Sequence, residues 1–283
     1  EISLCDWSSD VCSSDLRNTG GRAIALSLRV QLAAQFLFLN EQRKANLESL
    51  PVRDRLERWI GFGLMFPEFA KLPYVRTSLN VMHVRDNELT FGLDQNRFDL
   101  TITRRKTRTH SLFFTPAVEN NRIQIFDPDN EYQDLLESEQ VQTNPRLQRL
   151  LRVPEGQTNL MALKTGATID LRDNVFNPRR GFHGVATVEW ARTFLSSPVV
   201  RPDGSEDRFF SHHLSVSLRG TGYIPIKERV VFALQGQYGR VIAPSKDSET
   251  YPNRRFFMGG VDTMRAFHQD AMTPQDVAEV AAE

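Results

Sequence analysis

Apolar and polar residues alternate along the stretch 21–40. Ile24, Leu26, Leu28, Val30, Leu32, Ala34, Phe36 and Phe38 hold even positions, and Ser27, Arg29, Gln31 and Gln35 stand between them. A period of two belongs to a β-strand with one apolar and one polar face. The pattern returns through the chain. Ile60, Phe62, Leu64 and Phe66 alternate with Gly61, Gly63 and Met65, and Phe98, Leu100 and Ile102 alternate with Asp99, Thr101 and Thr103. Residues 75–85 and 89–93 read as one strand interrupted at Arg85-Asp86-Asn87 or as two short ones; 109–118 and 123–126 read as further pieces. Strands are also predicted in 159–172, 182–190, 212–224 and 229–242, for about nine in all.

Alternation alone does not choose between a soluble β-sandwich and a membrane barrel, since both place apolar residues on one face only. Length does separate them. Soluble strands usually run ~5–6 residues, whereas a tilted membrane-crossing strand needs ~9–11. The connections are also uneven: short near 177–178 and 225–228, long at 195–208 and at 127–157. The 127–157 excursion has no period of two. Leu135 and Leu136, then Leu147, Leu150 and Leu151, have helical spacing on either side of Asn144-Pro145, which predicts short amphipathic helices in a long loop. Short turns at one end and long loops at the other favour an antiparallel transmembrane β-barrel. Its inner face would carry Arg29, Gln31, Asp99, Thr101, Lys164, Asp170, Arg172, Glu189, Arg219 and Gln235.

Composition is compatible with that fold. Of 283 residues, 40% are hydrophobic and 25% charged, with a mean hydropathy of −0.40. This argues against a helical membrane protein but not against a barrel, in which only alternate residues face lipid. The formal net charge is zero, so bulk charge points to no nucleic-acid partner. Residues 1–16, EISLCDWSSDVCSSDL, resemble a translated sequencing adapter and not a signal peptide; they are set aside as a non-native leader. Without them 35 Lys+Arg face 31 Asp+Glu, and no cysteine remains, since Cys5 and Cys12 are the only two. No nucleophile elbow, phosphate-binding glycine loop or zinc spacing is present in the sequence. The chain therefore reads as a non-enzyme without a cofactor. His212 and His213 are adjacent on a strand and point to opposite faces, so no shared metal is expected.

Two motifs carry a family resemblance. Residues 168–181 read TIDLRDNVFNPRRG, and residues 251–267 read YPNRRFFMGGVDTMRAF. The second is unusually apolar for a loop, and its paired glycines allow sharp bending. In this order the two resemble the BamA/TamA family of outer-membrane protein assembly factors, the bacterial surface antigens. Asp170, Arg172, Asp173, Pro178 and Gly181 match that family's strand-turn-strand signature. Phe256, Phe257, Gly259, Gly260, Arg265 and Phe267 match its sixth extracellular loop, with Ala266 in place of a glycine.

The resemblance implies a sixteen-stranded barrel whose sixth loop, here 243–283, follows the eleventh strand and folds into the lumen. Residues 17–283 would then be a partial barrel domain truncated at both ends, without the first two strands and any POTRA domains. It implies that Arg265 makes charged hydrogen bonds inside the lumen, with Glu189 a candidate partner. Asp170, Arg172 and Asp173 would form either a lumen charge cluster or a solvated strand-to-turn segment. The implied location is the bacterial outer membrane, and the implied function is to fold and insert other β-barrel proteins. Partners would be the lipid bilayer, unfolded outer-membrane clients, and periplasmic or lipoprotein accessory subunits. The alternatives are a two-partner-secretion-type translocation pore and the barrel anchor of a patatin-like lipase.

Overall fold

The structure is a computed structural model. It describes residues 10–19, 24–33, 51–68, 72, 74–87, 91–107, 109–125, 137–144, 156–196, 198–200, 206–227, 230–245, 248, 254 and 256. One antiparallel sheet dominates. Its strands are β1 (Asp10–Thr19), β2 (Ile24–Ala33), β3 (Glu57–Phe66), β4 (Val75–Asn87), β5 (Phe91–Arg105), β6 (His110–Ile125), β7 (Gly156–Asp170) and β8 (Gly181–Ser196), followed by β11 (His212–Lys227) and β12 (Val230–Ile242). A separate hairpin, β9 (Pro198–Val200) with β10 (Glu206–Arg208), lies between β8 and β11. Each strand pairs with its sequence neighbour in the sheet, so the ten form an up-and-down wall. No described helix is long and apolar enough to cross a membrane, which leaves crossing by strands untouched.

Register sorts every strand into two faces. One continuous row across β2 to β7 is Leu28, Phe62, Val81, Phe98, Val118 and Met161. All six are exposed, at 39–47%. Aliphatic and aromatic side chains exposed in an unbroken row belong against lipid. The opposite face carries Asn80, Arg97, Asp99, Glu119, Lys164, Glu189 and His213, and it is the lumen side. On β6 the outward residues Leu112, Phe114, Pro116 and Val118 lie between His110 and Asn120. That interval of ten residues is about 34 Å along a strand and about 26 Å along the membrane normal at the usual ~40° tilt, close to the ~25 Å apolar band of such barrels.

The strands expected from alternation are present, and several are longer than alternation suggested. Arg85, Asp86 and Asn87 complete β4 and do not interrupt it. Residues 91–93 and 97–104 belong to one strand, β5. The pieces 109–118 and 123–126 are likewise joined through Glu119 into β6. In each case the strand continues past the apolar band. There the outward face turns polar and the period of two disappears from the sequence. Within 127–157 the structure has a short helix at Glu139–Thr143, ending before Asn144; Leu135, Leu136, Leu147, Leu150 and Leu151 lie outside the described residues. Asp10–Leu16, in the leader set aside above, form most of the edge strand β1.

Buried apolar residues gather on the lumen side near the long-loop end. Leu93, Ala117, Ile123, Leu160, Ala162, Ala191 and Phe209 form that cluster. Glu119, Asn121, Thr158, Ser211 and His213, at 0–2% exposure, are interleaved with it. A barrel wall facing an open channel would leave these side chains wet. They are covered, and the residues after β12 contribute to the cover.

Candidate functional site

The site begins with two carboxylates on the inner wall. Glu119 of β6 is directly opposite Leu160 of β7, and Glu189 of β8 is directly opposite Lys164 of β7. They are therefore two strands apart, about 9.6 Å, and offset by four residues, about 13 Å along the strands. No side chain within the sheet bridges both. Arg254, after β12, does. Its Nη2 donates to Glu119 Oε1 at 2.5 Å, and its Nη1 donates to Glu189 Oε1. A guanidinium offers several donors in a rigid fork and stays charged, which suits it to joining two carboxylates.

Both acids are tied into the wall behind them. Arg97 Nη1 reaches Glu119 Oε1 at 3.2 Å, and Gln95 Nε2 donates to Glu119 Oε2 at 3.3 Å. Arg97 Nε also donates to Asp99 Oδ1 at 3.2 Å, and Asp99 accepts from Asn80 Nδ2 at 2.8 Å. On the other side His213 Nε2 stands 3.9 Å from Glu189 Oε1, while His213 Nδ1 and Ser211 Oγ are 3.0 Å apart. The network thus runs across β4, β5, β6, β8 and β11. Its charges balance: Arg97, Lys164 and Arg254 against Asp99, Glu119 and Glu189. Without Arg254 the wall would carry an excess negative charge with one carboxylate, Glu119, fully buried. Leaving a buried charge short of a partner costs several kcal/mol, on the order of 3–5.

Two further contacts fix the segment after β12. Ser248 Oγ donates to the His212 carbonyl at 2.7 Å and accepts the His212 N–H at 2.8 Å. Phe256 lies over Gly239 of β12. Gly239 is paired with Ser217, on the lumen side, and a Cβ there would come within 2.7 Å of the Phe256 ring. The missing side chain makes the seat for that ring. The segment therefore touches β11 at the long-loop end, β6 and β8 through Arg254, and β12 through Phe256. At these residues it folds inward.

The strand-turn motif is a separate device at the short-turn end. Asp170 Oδ1 and Oδ2 accept from Arg172 Nε and Nη2, each at 2.8 Å. Asp173 Oδ1 accepts three backbone N–H groups: Asn174 at 2.9 Å, Arg179 at 3.0 Å and Arg180 at 3.2 Å. Those bonds hold Asp173 below its usual carboxyl pKa, with the Arg179 N–H the largest cause and the Arg180 N–H next. Gly181 closes the turn at φ 115°, where a Cβ would strike the Leu171 carbonyl. Pro178 lies within the same turn, half-buried.

Glu189 pairs with Arg254 on the lumen side, while its expected partner Arg265 lies outside the described residues. Phe257, Gly259, Gly260, Arg265, Ala266 and Phe267 lie outside the described residues. Sequence reasoning missed Glu119 and Arg254. Glu119 had one usable signal: it continues the odd, inward positions of β6 past Val118. His212 and His213 point to opposite faces. His212 Nε2 accepts from Trp190 Nε1 at 3.1 Å on the outer side, and among the described residues no group of three metal-ligating side chains occurs.

Comparison with known proteins fits this geometry. The Omp85 superfamily domain matches residues 18–281. Comparison with the curated proteins gave no match. Among solved structures, the crystal structure of BamA from Haemophilus ducreyi lacking POTRA domains 1–3 superposes with a TM-score of 0.60 at 13% identity. The alignment covers 94% of this chain and 44% of that one, so the chain spans less than half the length of that structure.

Proposed function

The chain belongs to the Omp85 superfamily, outer-membrane β-barrels of protein insertion and transport, and on that premise we propose that it acts as an assembly factor that folds and inserts other outer-membrane β-barrel proteins. The observation that carries the proposal is the seating of Arg254 on Glu119 and Glu189. It fastens a loop inside the lumen and braces β6 and β8 of one wall. A stiffened wall lets the catalytic work be physical: an incoming strand can pair with an exposed sheet edge by β-augmentation. Its partners are then the bilayer and unfolded clients, with accessory subunits on the short-turn side.

A translocation pore is the second reading, favoured by the polar and charged residues Asn80, Arg97, Asp99, Lys164 and His213 on the lumen face. Reconstitution separates the two. The full-length protein in phospholipid vesicles should speed the appearance of protease-resistant, heat-modifiable client barrel over empty vesicles. Passage of an unfolded polypeptide to the vesicle interior without client insertion would favour the pore.

A further inference from the structure

Four charged residues stand as direct cross-strand neighbours in one row on the outer wall: Arg58, Arg85, Asp94 and Arg122. Like charges directly opposite one another, as Arg58 and Arg85 are, destabilise a sheet. The one carboxylate of the row lies in the field of Arg85 but bonds elsewhere. Asp94 Oδ2 is engaged by Arg58 Nη2 at 3.4 Å, and Asp94 Oδ1 faces His83 Nδ1 at 3.6 Å. His83 Nε2 accepts from Arg58 Nε at 2.8 Å, so the ring proton sits on Nδ1, which donates to Asn96 Oδ1 at 2.9 Å.

Arg85 is left with buried donors. It is 4% exposed, and its Nε and Nη2 have no hydrogen-bond partner among the described residues. Asp54 is the other carboxylate in its field. Asp54 sits on the short helix Val52–Arg55, fastened to the same wall by Asn87 Nδ2, which donates to the Asp54 and Arg55 carbonyls at 3.0 and 3.1 Å. Among the described residues three arginines therefore face two carboxylates, and the Nε and Nη2 of Arg85 are unbonded. Buried polar groups are nearly always bonded, and a charged fork with free N–H groups matches the oxygens of a phosphate.

The position says where such an anion comes from. Below this row on the outer face is a polar row of His83, Asn96, Asn120 and Asn159, and below that the lipid-facing row through Phe98 and Val118. Asp94 is four residues from Phe98, about 13 Å along the strand. The row thus stands just outside the hydrocarbon, at the long-loop end, where Arg122 is exposed and Arg58 and Arg85 lie more deeply buried. We propose that Arg58, Arg85 and Arg122 form an outer-wall site for a phosphomonoester, carried by a phosphorylated glycolipid headgroup or supplied as free phosphate. The proposal rests on the membrane placement of the strands and is independent of the assembly role.

The test uses the full-length protein in phosphatidylcholine nanodiscs, with the thermal midpoint read by heat-modifiable migration. Three additions are compared: bis-phosphorylated lipid A, the same lipid A dephosphorylated, and inorganic phosphate alone. Ligand binding to the folded state raises its midpoint. The phosphorylated lipid should raise the midpoint by a few degrees and the dephosphorylated lipid should not. A rise with inorganic phosphate alone assigns the site to the free anion. Arg85→Gln should lose the rise, and so should Arg122→Gln, whose exposed position leaves folding intact. Equal midpoints with the two forms of lipid A and no rise with inorganic phosphate, or an undiminished rise in both variants, would overturn the site.

Discussion

Arg254 and Glu119 are 135 residues apart in the chain, and their side chains meet at 2.5 Å. The contact joins the segment after β12 to a fully buried carboxylate on β6, across a wall whose strands otherwise touch only their neighbours. It is the one kind of link that secondary structure cannot supply, since it sets the loop and not the sheet.

Replacing Arg254 by Met removes the charge and keeps much of the side-chain length. Glu119 and Glu189 then lose their shared cation, at a cost of about 3–5 kcal/mol for a buried pair. The expected outcome is a loop released from the lumen. In the full-length protein this appears as new protease cleavage within 243–256 and a higher conductance in planar bilayers, with the strand content by circular dichroism unchanged.

The seat of Phe256 gives a second, steric test. Gly239→Val places a side chain where the Phe256 ring lies, and should release the loop as Arg254→Met does. Gly236→Ala is the control, because a Cβ at Gly236 meets nothing within 4 Å. The protease assay should separate the two variants clearly.

The turn after β7 should be pH-sensitive. Asp173 has a folded pKa below its unfolded value of ~3.9, so its contribution is fully present above that value and is lost as pH falls through the lower folded one. Hydrogen exchange at the Arg179 and Arg180 amides should therefore be protected at pH 5 and above and accelerate, beyond the intrinsic rate, only in strong acid. Asp173→Asn should weaken that protection across the whole range.

The two faces should differ in their tolerance of charge. Phe114→Lys puts an ammonium on the lipid face about midway between His110 and Asn120 and should cost about 2–4 kcal/mol near the bilayer midplane. Ala233→Lys puts the same group on the lumen face of β12 and should change stability by less than about 1 kcal/mol. Denaturant titration of folding into vesicles measures both.

What could be read from the sequence follows the membrane itself. Inside the apolar band, lipid forces alternation, so Phe98, Leu100 and Ile102 faced outward as expected and Glu189 faced the lumen. Beyond the band the outward face carries Asn96, Asn120 and Arg122, both faces are polar, and alternation vanishes although the strand continues. That is why β6 seemed to end at Val118 and Glu119 was overlooked. Arg254 was hidden for another reason. A loop arginine has no period, and its role exists only through partners on β6 and β8. The motif drew attention to Arg265, eleven residues further on.

The seating of the loop by Arg254 is tested most directly by a double-mutant cycle on Arg254→Met and Glu189→Gln. Thermal midpoints and loop cleavage rates would be measured for the two single variants and the pair in the full-length protein. Residues that share one ion pair should be non-additive by about 0.5–3 kcal/mol, with the double variant little worse than Arg254→Met alone. Additive effects, within about 0.3–0.5 kcal/mol, would mean that Arg254 and Glu189 do not meet in the lumen.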